Sequence, residues 1–565
     1  MNLNLRAQAQ NTYDAIVIGS GVSGGWAAKE LTEKGLKVLM LERGHKLEHV
    51  KDYTTAMKDP WEFKYRGRIT QKQRESHPYM SRDYPYNEHN ESYWLKDTDV
   101  PYTEKKRFDW FRGNIVGGKS IMWGRQSYRL SDIDFEANLK EGIAVDWPIR
   151  YKDIAPWYDY AEKFAGISGQ AEGLPQLPDG QFLPPMEYNC IEKAVKQTVE
   201  SKFPGRKITM GRVANLTKSI HGRASCQYRN LCSRGCPFGA YFSTQSSTLP
   251  AAMKTGNLTL RPDSNVNSLI YDEKKGKATG VRVIDANTSQ MTEYYAKIIF
   301  VNASAISSTW ILMNSTSSRF PNGFGNASGQ LGHNLMDHHF RTGASGESDD
   351  FGDKYYFGRR ANGIYVPRYR NIGNDKRDYV RGFGYQGSGS RDGWQRAVAE
   401  MGFGADFKEA MTKPGKWKMG LGGFGECLPY HENKVTLNKE VKDKWGQPTL
   451  TFDAEFKENE MKMRKDMAND AAEMLEAAGL KNVKTYDAGS YPGLAIHEMG
   501  TARMGRDPKT SVLNAFNQVH EAPNVFLTDG ACMTSASCVN PSLTYMALTA
   551  RAVDHAVKEM KRGNI

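Results

Sequence analysis

No apolar run in these 565 residues approaches the ~18 needed for a membrane-spanning helix, so the sequence excludes one. No internal repeat or low-complexity tract is visible, and no long run of Lys or Arg. The 76 basic residues are spread among 64 acidic ones, so the formal charge of +12 does not gather into the basic face that nucleic-acid binding requires. A basic rim facing an acidic electron-transfer partner suits that charge better. The opening stretch, MNLNLRAQAQNTYD, lacks an apolar core and a twin arginine, so no export signal of its own is expected. The length is enough for two or three domains' worth of core.

Cysteine is scarce too, with seven residues in all. Three of them, Cys226, Cys232 and Cys236, share the short loop SCQYRNLCSRGCPFGA. Thiolates gathered this closely suit an iron–sulfur cluster or a soft metal ion, and a proline after the last cysteine, here Pro237, recurs in cluster-binding loops. Zinc is the rival, with His221 as a fourth ligand. Plain structural cysteines are the third reading. A disulfide would leave one thiol over, and Arg223, Arg229 and Arg234 keep the loop polar. Cys190, Cys427, Cys532 and Cys538 show no grouping.

The start of the chain reads more directly. Tyr13 to Ile18 is a β-branched apolar run suited to a buried parallel strand. Gly19-Ser20-Gly21-Val22-Ser23-Gly24 follows, then a helix-compatible stretch from Gly25 to Glu33. A second strand, Leu36 to Leu41, ends at Glu42. In such a turn Gly19 permits the tight bend, Gly21 lets the backbone approach a pyrophosphate on the helix N-terminus, and Gly24 lets helix and strand pack closely. Glu42 is placed to accept from a ribose hydroxyl. Strand, turn, helix and terminal Glu in register predict a dinucleotide site, without separating FAD from NAD.

Residues 59–101 are rich in Tyr, Arg, His and Glu without periodicity and read as a long covering excursion. Lys152–Phe164, Lys457–Ala478 and Ser542–Lys561 read as helices, and Lys297–Asn302 and Asn524–Thr528 as apolar strands. Between residues 340 and 448 the runs GIYVPRYR, DYVRGFGYQG, KMGLGGFGE and KVTLN predict an antiparallel sheet. The fold expected is α/β: a discontinuous Rossmann-like domain (11–150, 220–338 and 497–565) with an inserted α+β substrate domain (151–219 and 339–496) built on an antiparallel sheet.

Several separated motifs resemble the glucose–methanol–choline oxidoreductase family along nearly the whole chain. They are DAIVIGSGVSGGWAAKELTEKGLKVLMLERG, GNIVGGKSIMWG, DWPIRYKDIAPWYDYAE, NASAISSTWILMNS, GQLGHNLMDH, HEMGTARMG and NVFLTDGACMTSASCVNPSLTYMALTARA. The cysteine loop is similar to that of the catalytic subunits of bacterial flavin-dependent sugar dehydrogenases. The resemblance implies FAD, a 3Fe-4S cluster on Cys226, Cys232 and Cys236, and export beside a small twin-arginine subunit. It also implies a periplasmic location and a c-type cytochrome acceptor. It places the catalytic pair at His497 and Asn540. The flavin contacts fall on Gly19, Ser20, Gly21, Gly24, Glu42, Arg43, Gly117, Gly118, Ser120, Met122, Trp123, Val266, Asp529, Gly530 and Pro541.

The chemistry suits those types. Alcohol oxidation needs a base for the hydroxyl proton as hydride leaves the carbon, and neutral imidazole serves near neutral pH. Asn offers a donor and an acceptor without charge. Met122 stands where some family members link the flavin through a histidine, so the flavin is expected to be non-covalent. Ser304 and Ser308 replace a glycine and a proline of the second motif. His333, His338 and His339 are read as structural. The expected reaction is dehydrogenation of a sugar or glycoside hydroxyl, with glucoside C3 favoured by general similarity and the cluster relaying electrons. The alternative is a sugar oxidase of the same family using oxygen, its cysteine loop structural or zinc-binding. Trp394, Tyr365 and Tyr369 offer aromatic faces that suit a pyranose ring or an ordinary sheet surface.

Overall fold

The computed structural model describes residues 11–82, 84–356, 358–391 and 402–565. Thr12–Ile18 is buried from Ala15 onward and Val38–Leu41 throughout, the continuous apolar pattern of strands covered on both faces. They pair in parallel, Ala15 opposite Val38 through Ile18 opposite Leu41. Met291–Val301 lies parallel on the other side of Thr12–Ile18, and Leu258–Arg261 parallel beyond Val38–Leu41. Ala522–Phe526 joins the sheet from near the C-terminus. The antiparallel pair Ser264–Asp272 and Lys277–Asp285 hangs from Met291–Val301.

The helix Val22–Glu33 covers this sheet with Trp26, Ala27, Ala28 and Leu31 fully buried. The last helix, Ser542–Arg562, packs on it and on Tyr151–Ala165. Two glycines make the first turn possible. Gly19 has φ 92°, and a Cβ on Gly24 would stand 1.9 Å from Gly19 O. No side chain fits either place.

The second sheet is antiparallel, in the order Lys481–Asp487, His339–Ser348, Trp417–Gly425, Phe383–Arg391, Ile364–Val366, Thr209–Met210. Alternation turns Tyr385 toward the helix Glu458–Ala477, where its hydroxyl donates to Met467 O at 2.9 Å. Gln386, its neighbour, faces the opposite way. Met463, Met467 and Met474 of that helix fill the space above the sheet.

The expected sheet is shorter than its sequence pattern. Lys434–Lys442 pairs instead with Pro448–Asp453, in a small separate sheet that also takes Thr103–Glu104. The turn between them selects that partner. Asp443 Oδ1 accepts from Trp445 N and Gln447 N at 2.9 Å each, and Gly446 takes φ 78°. The excursion 59–101 consists of short helical turns and one six-residue helix, Gln71–Ser76.

Fully buried Arg381 ties the two sheets' neighbourhoods together. It donates to Glu141 Oε2 at 2.6 Å, Asn138 Oδ1 at 2.6 Å and Glu426 Oε1 at 3.1 Å. Asn138 in turn donates to Thr534 O beside the last helix, and Glu426 follows directly on Trp417–Gly425. No helix among the described residues is long and apolar enough to cross a membrane.

Candidate active site

A cavity of about 670 Å³ lies between the first turn and the second sheet. No side chain caps the helix Val22–Glu33 at Gly21, so its first turn offers backbone N–H groups and the positive end of its dipole to an anion. A Cβ on Gly21 would meet nothing within 4 Å, so the backbone there is open to a close-lying ligand. Glu42 reaches the cavity and also braces the turn. Its Oε2 accepts from Ser20 N at 3.0 Å and Ser20 Oγ at 2.7 Å, and its Oε1 from Gly44 N at 2.7 Å. Ser20 Oγ accepts in turn from Gly117 N at 2.8 Å, docking the 113–124 segment onto the turn.

Arg43 Nε, Asn302 Nδ2 and Tyr545 Oη are buried polar atoms of cavity-lining residues that no other described residue satisfies. Such atoms ask for a ligand's acceptors. The replaced positions of the second motif have their own solution. Ser304 takes φ 78°, where glycine is the usual choice. Ser308 Oγ donates to Asp529 Oδ2 at 2.5 Å and accepts from Ala303 N at 2.9 Å. Burial pushes the Asp529 carboxyl up to about 6.

At the far end of the cavity stand His497 and Asn540, with Asn540 Nδ2 at 3.3 Å from His497 Nε2. Gln386 Nε2 donates to Asn540 Oδ1 at 2.8 Å. His338 Nδ1 lies 2.8 Å from His497 Nδ1, and His338 Nε2 2.8 Å from Ser537 O. Asp337 holds the backbone: its Oδ1 accepts from His497 N and its Oδ2 from Ala495 N, each at 3.0 Å. Between those two, Ile496 takes φ 63°, a strained conformation for a β-branched residue. Burial, then His338 and Lys119, hold the His497 imidazole well below its ordinary pKa. Burial lowers His338 to about 4. Both rings are therefore neutral near pH 7. Lys119 Nζ sits 3.3 Å from Glu498 Oε2 on the same wall.

Gly19, Ser20, Gly21, Glu42, Arg43, Gly118, Ser120, Met122, Trp123, Val266, Asp529 and Gly530 line the same cavity as His497 and Asn540. Gly24, Gly117 and Pro541 stand behind it: Gly24 backs the turn, Gly117 bonds Ser20, and Pro541 precedes the last helix. His338, read as structural, contacts His497 directly. Gln386 carried no signal in the sequence, because its partner lies 154 residues away. Asp337 falls within the motif GQLGHNLMDH, but its partner lies 160 residues away and no role was read for it. Tyr365 stacks on Tyr128 with centroids 4.2 Å apart, and Tyr369 bonds Asp470 of the helix Glu458–Ala477, so neither lines the cavity. Trp394 lies outside the described residues.

The iron–sulfur expectation is overturned. Among the described residues no three of His, Cys, Asp and Glu are grouped so as to hold a metal ion. Cys226, Cys232 and Cys236 are half-buried free thiols around a cavity of about 20 Å³. Burial pushes the Cys226 thiol up. His221, the zinc alternative's fourth ligand, stacks on Phe164 instead. With the 3Fe-4S cluster goes the relay to a c-type cytochrome.

The arginines of this loop hold backbone carbonyls. Arg234 Nη1 donates to Lys58 O at 2.9 Å, Arg229 Nη1 to Ala56 O at 3.1 Å and Arg223 Nη1 to Ala165 O at 3.0 Å. These bonds tie the loop to the backbone of neighbouring segments.

Two family models, both described as GMC oxidoreductase, match residues 13–340 and 429–549. The chain is 30% identical, over 96% of its length and 94% of the relative's, to the 2-methyl-1,2-propanediol dehydrogenase of Mycolicibacterium austroafricanum. It is 25% identical, over 97% of its length and 98% of the relative's, to the fructose dehydrogenase large subunit of Gluconobacter japonicus. Among solved structures it resembles an Aspergillus oryzae RIB40 formate oxidase, with TM-score 0.62 and 14% identity over 98% of this chain and 99% of that one. The latter likeness shows the fold. The chain belongs to the GMC oxidoreductase family, and it is an FAD-dependent oxidoreductase acting on CH–OH groups. The uncapped helix end and the orphaned polar atoms fit that cofactor.

Proposed function

We propose that the protein oxidises a hydroxyl of a sugar, glycoside or small polyol to a carbonyl, with His497 as base and molecular oxygen as the electron acceptor. The observation that carries this reading is the His497–Asn540 pair on the cavity that the nucleotide turn also lines. His497 Nε2 takes the hydroxyl proton, and Asn540 Nδ2 can donate to the same oxygen and orient it. Bound FAD supplies the hydride acceptor. The substrate loses two electrons and two protons, and oxygen leaves with both as hydrogen peroxide.

Amide side chains of Gln126, Asn362 and Gln386 line the cavity, neutral donors and acceptors suited to hydroxyl groups. Relatives named for fructose, gluconate and 2-methyl-1,2-propanediol support a hydroxylated substrate. Met122 has no ring nitrogen to link a flavin, so acid precipitation releases all FAD to the supernatant; colour left in the pellet contradicts this. A periplasmic location beside a small exported subunit completes the proposal and rests on the resemblance.

The deciding experiment supplies glucose, methyl glucosides, fructose, gluconate and 2-methyl-1,2-propanediol in turn, following flavin bleaching without oxygen and peroxide formation with it. Bleaching and stoichiometric peroxide with one of them is expected. Bleaching without oxygen uptake overturns the acceptor, and no bleaching with any overturns the substrate class.

A further inference from the structure

We infer that His338 is a positioning residue for the oxidation, fixing which nitrogen of His497 is bare. The inference rests on His497 being the base. A backbone carbonyl can only accept. Ser537 O stands 2.8 Å from His338 Nε2, so that nitrogen carries the hydrogen. A neutral imidazole has one N–H, so His338 Nδ1 is bare and accepts from His497 Nδ1 at 2.8 Å. His497 then has no hydrogen left for Nε2, the nitrogen beside Asn540 Nδ2 at 3.3 Å.

The polarity is anchored at both ends. Ser537 takes φ 57°, and its hydroxyl is held by Asp134 Oδ1 at 2.7 Å. At the other end Gln386 donates to Asn540 Oδ1 at 2.8 Å, which turns the Asn540 NH2 toward His497. The sequence of donors runs one way, from Gln386 and Asn540 on one side and from His338 into a carbonyl on the other.

Without an acceptor at His338, His497 is free to carry its hydrogen on Nε2, a form that cannot take the substrate's proton. When Nε2 does receive that proton, the Nδ1–H of the resulting cation still donates to His338 Nδ1. The titratable groups facing the pair are Lys119, paired with Glu498, and Asp337, whose carboxyl burial pushes well above its ordinary pKa and which accepts the His497 backbone N–H.

The test compares His338→Leu, His338→Asn and His497→Ala, each with its bound flavin measured by absorbance. His338→Leu should lower kcat about 100-fold with KM changed less than about threefold, the scale of a disabled general base. Asn places Oδ1 near the position of the bare Nδ1, so His338→Asn should recover about tenfold or more of that loss. In wild-type enzyme with 15N-labelled histidine, His497 should show a protonated Nδ1 and a bare Nε2.

A His338→Leu variant with near-normal kcat, or a His497 protonated on Nε2, overturns the inference. Equal losses in the Leu and Asn variants with lowered unfolding midpoints make His338 a packing residue and overturn it too. Near-normal turnover in His497→Ala strikes the base assignment itself. A dead His497→Ala beside a normal His338→Leu strikes only the role of His338.

Discussion

The loop at 226–236 and the segment at 495–498 are both short, irregular and rich in reactive groups, but they are gripped in opposite ways. In the first, arginines hold carbonyls and the three thiols stay free, not grouped to hold a metal ion. In the second, Asp337 fixes the backbone on both sides of Ile496, and the imidazole is oriented by His338 and Asn540. Reactive groups close in sequence do not make a site. Side chains held in one orientation by partners do.

The comparison breaks most sharply at His497. His497→Ala should lower turnover by about 100-fold or more while FAD stays bound, the low end for a general base. The same ring sets a pH test. Its pKa is held well below the ordinary value by burial, so it stays unprotonated as pH falls through ~6.5. The acid limb of kcat/KM should therefore lie below that value; a limb centred near it would mean the base is exposed.

Stability moves the same way. His338 and His339 are fully buried and His497 half-buried on the cavity wall, all three are neutral, and the unfolded chain binds their protons first. Stability is lost as pH falls from ~6.5, for His338 down to about 4.

On the other side of the comparison, Arg234→Ala removes one guanidinium-to-carbonyl bond and the contact with the Phe63 ring. It should lower stability by about 1–3 kcal/mol in denaturant unfolding and leave kcat unchanged. Cys232→Ser should do least: turnover, flavin content and metal content all match the wild type. Loss of turnover in Cys232→Ser would return the loop to the chemistry and undo the contrast.

The first strand, turn and helix were legible because each rule acts over a few neighbouring residues. Period, glycine spacing and a terminal Glu lie within thirty-odd positions, and the fold follows them closely, although Glu42 spends hydrogen bonds on its own turn. Motif pointed to His497 and Asn540, and the fold brings the two together on the cavity wall. The contact of His338 with His497 was not legible, because the two stand 159 residues apart and the motif that His338 closes says nothing of its partner. The cysteine loop misled for the matching reason: spacing reports that thiols are near in the chain and says nothing of the volume between them. Lys434–Lys442 shows the same limit, since alternation marks a strand without naming its neighbour.

Arg381 carries one more consequence. Its guanidinium, wholly out of water, holds Glu141 and Asn138 on one side and Glu426 on the other. Swinging the two halves apart would strip a buried cation of its anions, a step far costlier than breaking a surface pair. Arg381 thus acts as a rivet: the segments that carry Glu141 and Asn138 stay joined to the one that carries Glu426 unless a buried charge gives up its partners.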